Sequence, residues 1–231
     1  MKTKRTGRTT RVATAVCVAL LASSCSGNDP GVAADVNGAA ITDERVDSVA
    51  DLLCELGGLA GQTDAGTPTR NARSRALELL INNELAFDLG SDVDLPQAAL
   101  DSSVTQNQAA RDVLPESMRD TFDEFVDEFA RAQVTVQEVG RESLEESGGG
   151  ASVSDDDAYA EGQRLRLELA EESDITIDPR FGTIEEGVVT PGSGSLSVPE
   201  SDEAKQDAKL APDMAAVEDM PAPLKCGAAG G

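Results

Sequence analysis

The sequence predicts a mainly α-helical domain of about five helices. A small two-stranded β element joins the domain ends, and a disordered acidic C-terminal tail follows. The apolar residues are mostly Ala, Val and Leu, and aromatic residues make up 3% of the 231 residues, which favours helices over a sheet sandwich. Apolar residues recur at spacings of three and four in several segments. From Gly187 the chain is rich in Gly, Ser, Pro and acidic residues, so we assign 33–186 to the helical domain and 187–231 to the tail.

The first elements of the domain are a short strand and a helix. Ala33–Val36 precedes an Asn-Gly pair, which is typical of a tight turn after a strand. Thr42 is placed to cap the next helix, in which the apolar residues between Val46 and Leu53 share one face. The Gly57-Gly58 pair predicts the end of that helix.

The second helix has the strongest apolar pattern in the chain. Thr67 and Pro68 are expected as its cap and first residue, and Gly90 as its end. Its apolar face holds Leu77, Leu80, Ile81 and Leu85, widened by Leu79, Ala86 and Phe87.

Proline residues predict the start of the next two helices. Pro96 opens a weakly apolar third helix that extends to Arg111, and Pro115 opens a fourth that extends to Leu144. Three of the five Phe residues recur at helical spacing in the fourth helix: Phe122, Phe125 and Phe129.

A fifth helix and a strand complete the predicted domain. Ser154 is placed to cap the helix, and three Asp residues occupy its first turn. These residues match helix capping rather than a calcium loop, because no ladder of ligands with glycine at the sixth position follows. Ile175 and Ile177 alternate with polar residues as in a strand, and we expect this strand to pair with Ala33–Val36.

The charge and the absence of histidine exclude several functions. A formal charge of −24 repels nucleic acid, so we expect no DNA or RNA partner. The chain contains no His, which rules out Ser-His-Asp and Cys-His nucleophiles and His-ligated metal sites. Acidic residues occur throughout the chain and no pair stands out. We therefore predict no enzyme activity, no catalytic residue, no metal and no cofactor.

The N-terminus combines a basic segment, an apolar run and a cysteine. Basic residues precede the apolar run Val12–Ala22, which is too short to span a bilayer, and Ser24 then precedes Cys25. This pattern resembles a bacterial lipoprotein signal, in which the cysteine after a small residue is acylated, although Ala22 stands where Leu is more usual. We assign 1–24 to a signal peptide and 25–32 to a tether, and we expect the lipid to hold the protein on the extracytoplasmic face of the cell membrane. The alternatives are a secretory signal cut elsewhere and a short membrane anchor.

Two cysteines, Cys54 and Cys226, remain after the signal and the lipidation site are set aside. In an oxidising compartment such a pair favours one disulfide. The alternative is two unpaired thiols.

Three segments, in chain order, carry a family pattern. ADVNGAAITDERV contains a VNG-x-x-I motif, and RALELLINNELAFDLGSDVDLPQAAL has a leucine-rich helix, a short turn and a second helix. These two segments resemble the opening and the next pair of helices of SurA- and PrsA-type periplasmic chaperones. ITIDPRFGTI with GSLSVP is similar to the closing segment of SurA-like Gram-positive lipoproteins, and the match covers residues 33–199. The resemblance implies a SurA-N-like helical bundle that receives unfolded polypeptide. No parvulin-like segment is present, so it implies no prolyl-isomerase activity.

The predicted function is that of a membrane-anchored, chaperone-like lipoprotein that binds unfolded or secreted polypeptides. The expected polypeptide-binding residues are Leu77, Leu79, Ile81 and Phe87 on one helix and Phe122, Phe125 and Phe129 on another. Alternatively, these two faces pack on each other as the core, and any groove lies at margins such as Leu79 and Phe87. The alternative function is a non-catalytic envelope adaptor that docks one specific protein partner.

Lipidation at Cys25 gives a first testable prediction. Cys25→Ala is expected to release the protein from membranes, because each buried acyl methylene contributes about 0.8 kcal/mol to membrane binding. Metabolic labelling with a fatty-acid analogue checks this, with Cys54→Ala as the control that keeps the label. Wild-type protein that takes up no label would rule out the lipid anchor.

Overall fold

The computed structural model describes residues 30–59, 67–148, 153–185, 188–191, 221 and 224–226. These residues are mainly helical, which confirms the predicted fold class. The helices are α1 (Asp43–Leu59), α2 (Thr69–Leu89), α3 (Gln97–Val113), α4 (Glu116–Glu146) and α5 (Asp155–Glu172). The strands are β1 (Val32–Val36), β2 (Ala39–Thr42), β3 (Thr67–Pro68), β4 (Ile175–Ile177), β5 (Gly182–Glu185), β6 (Val188–Pro191) and β7 (Lys225–Cys226). The signal peptide, Cys25 and most of the tether lie outside the described residues.

An antiparallel sheet joins the two ends of the helical domain. Strand β1 pairs with β4, with Ala34 opposite Ile177 and Val36 opposite Ile175, which confirms the predicted pairing. The prediction of only two strands is wrong, because β2 pairs with the other edge of β1. The Asn-Gly turn folds β2 back on β1, since Asn37 and Gly38 both adopt positive φ angles, of 52° and 92°.

Asn37 fastens this turn to the ends of two helices. Its backbone N–H donates to the carbonyl of Asp174 at 2.9 Å, and its side-chain oxygen accepts from the Asp174 N–H at 2.9 Å. Its side-chain Nδ2 donates to Asp88 at 2.8 Å and to Ser173 at 3.2 Å. One exposed side chain therefore connects the hairpin to the C-terminal ends of α2 and α5.

Two of the predicted helix caps are present. The Thr42 hydroxyl accepts from the Arg45 N–H at 3.2 Å, and the Ser154 hydroxyl accepts from the Asp157 N–H at 3.1 Å. Each hydroxyl pairs a backbone N–H that has no partner inside the first turn of its helix.

Several predicted boundaries need correction. Helix α2 begins at Thr69, not Pro68, and Thr67–Pro68 instead pair with β7. Helix α1 continues through Gly57 to Leu59, because a glycine costs a helix only about 1 kcal/mol relative to alanine. Gly90 does end α2, yet its φ of −112° is not left-handed. A Cβ there would lie 2.0 Å from Cγ2 of Thr135, so close packing requires the glycine.

The core lies between α1, α2 and the first half of α4, and it is closed by β1 and β6. Its largest fully buried apolar side chains are Leu52, Leu77, Ile81, Leu85 and Leu114. The β5–β6 hairpin covers α2, with Val189 and Phe181 buried against the helix. The segment 187–231, which we expect to be mostly disordered, contains the two short strands Val188–Pro191 and Lys225–Cys226. Apart from Pro221 and Leu224, the rest of that tail lies outside the described residues.

A disulfide between Cys54 and Cys226 attaches the C-terminal segment to α1, with the Cα atoms 5.0 Å apart. The neighbouring strand β7 pairs with β3 at the start of α2. The cysteine pair expected from the sequence therefore holds β7 beside both α1 and α2.

Helices α4 and α5 touch through backbone at two glycines. A Cβ built at Gly140 would lie 1.9 Å from the carbonyl oxygen of Ala158, and one at Gly162 would lie 1.8 Å from that of Val136. No side chain fits in either gap, so both glycines are needed for this close crossing.

Gly140→Ala is therefore expected to lower the free energy of unfolding by about 3 kcal/mol or more, because the methyl group meets backbone rather than a movable side chain. Gly57→Ala is the matched control, since a Cβ there has nothing within 4 Å and stays within a helix. That control should gain about 0.5–1 kcal/mol. Chemical denaturation measures both, and equal effects of the two substitutions would contradict the backbone contact.

Removing the disulfide is also expected to destabilise the fold. The bridge closes a sequence separation of 172 residues. In the chain-entropy model such a loop contributes about 5 kcal/mol, and measured values are often nearer 2–4 kcal/mol. Urea unfolding of oxidised and reduced wild-type protein, with Cys54→Ser/Cys226→Ser as a third sample, measures the difference. Identical midpoints for the oxidised and reduced forms would show that the bridge adds no stability.

Candidate binding cleft between helices α2, α4 and α5

The two apolar faces expected to bind polypeptide are mostly core. Leu77, Ile81, Phe122 and Phe125 are all buried in one hydrophobic cluster. The folded chain does not present these side chains to a partner, which corrects the prediction for these four residues. These four residues instead fit the alternative, in which the two apolar faces pack on each other as the core.

The other three predicted residues are partly exposed. Leu79 and Phe129 line a cleft between α2, α4 and α5. Phe87 does not line it and instead packs beside the small buried cluster of Ala86, Ala132 and Val136. The groove expected at the helix margins thus includes Leu79 and Phe129 and leaves out Phe87.

The cleft has a volume of about 220 Å³ and two kinds of lining. Ala86 and Ala132 carry only methyl groups, which leaves space where α2 meets α4. The apolar lining is Leu79, Ala86, Phe129, Ala132 and Val136. The polar lining is Arg75, Glu78, Asn82, Asn83, Gln133, Tyr159, Gln163 and Arg166.

Arg166 lies at this cleft with amides as its hydrogen-bond partners. Its Nη1 donates to Oδ1 of Asn82, and its Nε and Nη2 donate to Oε1 of Gln163 at 3.2 and 2.8 Å. Burial lowers the pKa of the Arg166 guanidinium below its ordinary value. The group still carries its charge at neutral pH, since arginine is not deprotonated in proteins.

Asn83 supplies a polar group without a partner beneath the same cleft. Its side chain is only 4% exposed, and its Nδ2 is buried without a hydrogen bond. A buried unsatisfied donor costs about 1–3 kcal/mol, so native structures seldom retain one.

The charge of the cleft is opposite to that of the chain. Its lining holds two cations, Arg75 and Arg166, and one anion, Glu78, a balance of +1. The chain as a whole carries −24. Glu78 is already paired with Arg75 at 2.7 Å. The charge of Glu78 also attracts the guanidinium of Arg166, so the three charged side chains together leave one positive charge in the lining for a ligand.

The described residues were also compared with the requirements of a metal site, a group with a shifted pKa and a membrane-spanning helix. They contain no group of three or more Cys, Asp or Glu side chains that could hold a metal ion. Burial, with the charges of Glu128 and Asp88, raises the pKa of Glu84, but Glu84 does not line the cleft. Among these residues no helix has the length and hydrophobicity needed to cross a membrane.

Comparison of the chain with protein-family models, with curated proteins and with solved structures gave no match. The resemblance to SurA- and PrsA-type chaperones stays a prediction.

The sequence interpretation missed the polar half of the cleft. Asn82 and Asn83 interrupt the leucine-rich run of α2, and two adjacent asparagines are unfavourable in a helix interior. That break in the pattern was the available signal. Nothing comparable marks Gln163 or Arg166, which lie on an ordinary charged helix.

Proposed function

We propose that this chain is a lipid-anchored, extracytoplasmic protein that binds unfolded or secreted polypeptides without catalysis. The observation that carries the proposal is the mixed lining of the cleft between α2, α4 and α5. An apolar wall that includes Leu79 and Phe129 faces amide and guanidinium groups that include Asn82, Gln163 and Arg166. The lipid anchor and the chaperone-like resemblance come from the sequence and agree with this function.

A mixed lining suits an unfolded chain for a physical reason. Each peptide unit presents one N–H donor and one C=O acceptor, and a side-chain amide can both donate and accept. The apolar wall can receive a side chain of the client at the same time. Such contacts depend little on client sequence, as binding of unrelated polypeptides requires.

The size of the cleft limits what it holds. A cavity of about 150 Å³ is enough for benzene, so about 220 Å³ accommodates one side chain with its backbone. Binding through one residue at a time is weak, and weak binding lets a client leave and fold.

A second candidate function is a dedicated envelope adaptor. One observation favours it: the large apolar side chains exposed in the described residues are scattered over α3, α5 and the segment before β7. They are Val104, Val113, Tyr159, Leu167 and Leu224. A small cleft without a broad apolar surface around it also suits one specific partner.

Filling the cleft tests the proposal. Gln133 is exposed and lines the cleft, so Gln133→Trp is expected to fill it without disturbing the core. The variant should lose most of the delay in aggregation that wild-type protein gives to several unrelated unfolded clients. Light scattering measures the delay, and circular dichroism checks the helical content.

Gln108→Trp is the matched control, because Gln108 is exposed on α3 and does not line the cleft. It should act like the wild type. A wild-type protein that delays none of the clients would contradict the chaperone-like function. If wild-type protein and Gln108→Trp then retain one specific envelope protein and Gln133→Trp does not, the adaptor function would be established.

A further inference from the structure

We propose that the cleft between α2, α4 and α5 selects a carboxylate, which Arg166 and the side-chain amide of Asn83 bind. The carboxylate belongs to a ligand about the size of one apolar residue, whose side chain lies against Leu79 and Phe129. The inference rests on the proposed function only in taking the ligand to be part of a polypeptide.

The first support is the pairing of arginines elsewhere in the chain. With 43 acidic and 19 basic residues, arginines easily find carboxylates. On the same helix, Arg164 is ion-paired with Glu161 at 2.6 Å and also with Glu168. Arg119 bonds instead to the carbonyls of Leu114 and Asp112 at the end of α3, where it acts as a cap.

Arg166 is different because side-chain amides accept the hydrogen bonds of its guanidinium, while the charge of Glu78, whose ion pair is with Arg75, also attracts it. Asn82 and Gln163 accept hydrogen bonds from all three of its nitrogens and so fix the plane of the guanidinium. A planar guanidinium held in this way is suited to a carboxylate, whose two oxygens match its N–H groups. Partial burial strengthens the attraction, since less water screens it.

The second support is Asn83, which is independent of Arg166. Its Nδ2 has two N–H groups and no acceptor, although the residue is 96% buried and borders the cleft. Entry of an oxygen-bearing ligand with a small rotation of the side chain would give this donor a partner. The ligand would thereby relieve an unfavourable feature of the free protein.

The charge balance defines the ligand further. A lining of +1 matches a single negative charge, as on a carboxylate, better than the double charge of a phosphate monoester. The apolar wall and the volume of about 220 Å³ leave room for one side chain beside the carboxylate. In a polypeptide this group is either the C-terminal carboxylate or the side chain of Asp or Glu.

The test compares N-acetyl-leucine with N-acetyl-leucinamide, which differ only in the carboxylate, by NMR titration of the complete mature protein. We expect wild-type protein to bind the acid at least tenfold more tightly than the amide. Arg166→Gln should remove the preference, and Arg166→Lys should keep part of it. Arg164→Gln is the matched control on the same helix and should retain it in full.

Two pairs of peptides identify the source of the carboxylate. Acetyl-Gly-Ala-Ala-Leu is compared as acid and as amide, and acetyl-Ala-Glu-Leu-Ala-amide is compared with its Gln counterpart. A preference in the first pair assigns the C-terminus, and a preference in the second assigns an acidic side chain.

The outcomes separate this inference from the proposed function. Equal binding of acid and amide, or a preference that survives in Arg166→Gln, would overturn carboxylate selection while polypeptide binding stands. No binding of either N-acetyl compound at millimolar concentration would overturn it as well. Selective binding of the acid by a protein that delays no aggregation would support the inference and contradict the chaperone-like function.

Discussion

Burial of helix α2 on several sides is the constraint on which the rest of the structure depends. Helix α1 packs on one side of it and α4 on another, α5 also contacts it, and the β5–β6 hairpin covers part of it. Buried residues occur along its whole length and include the polar Ser74 and Asn83. Ser74 is satisfied, because its hydroxyl donates to the carbonyl of Phe181 at 3.0 Å. Asn83 is not, and this unmet donor lies at the cleft.

The cleft results from close packing between α4 and α5 together with looser packing between α2 and α4. Gly140 and Gly162 bring the α4 and α5 backbones into contact, which fixes α5 beside the second half of α4. Ala86 of α2 and Ala132 of α4 carry only methyl groups, which leaves the space next to them. Larger residues at these two positions would fill the cleft, and larger residues at the two glycines would move α5 away from it.

The acidic surface and the cationic cleft have different consequences for a ligand. A charge of −24 repels most anions at long range. Arg166 acts at short range, because solvent ions screen charges beyond about 8–10 Å. If the proposed function holds, Arg166 therefore attracts a client carboxylate only once that carboxylate has reached the cleft. Neutral and basic stretches of a client are not repelled as they approach.

The sequence by itself determined the helices and two caps, because period and capping signals are local. It also indicated the pairing of β1 with β4 and the Cys54–Cys226 disulfide, although these contacts are distant in sequence, because isolated short strands need a partner and only two cysteines remained once the signal and the lipidation site were set aside. Only the tertiary structure decided which apolar residues face a cleft. Leu79 and Leu77 lie on one helix, and periodicity gives each a face but not the neighbour that covers it. Tertiary contacts also turned Thr67–Pro68 into a strand, since their partner, β7, is distant in sequence. Arg166 became a candidate binding residue only when α5 packed beside α2, where Asn82 and Gln163 accept the hydrogen bonds of its guanidinium.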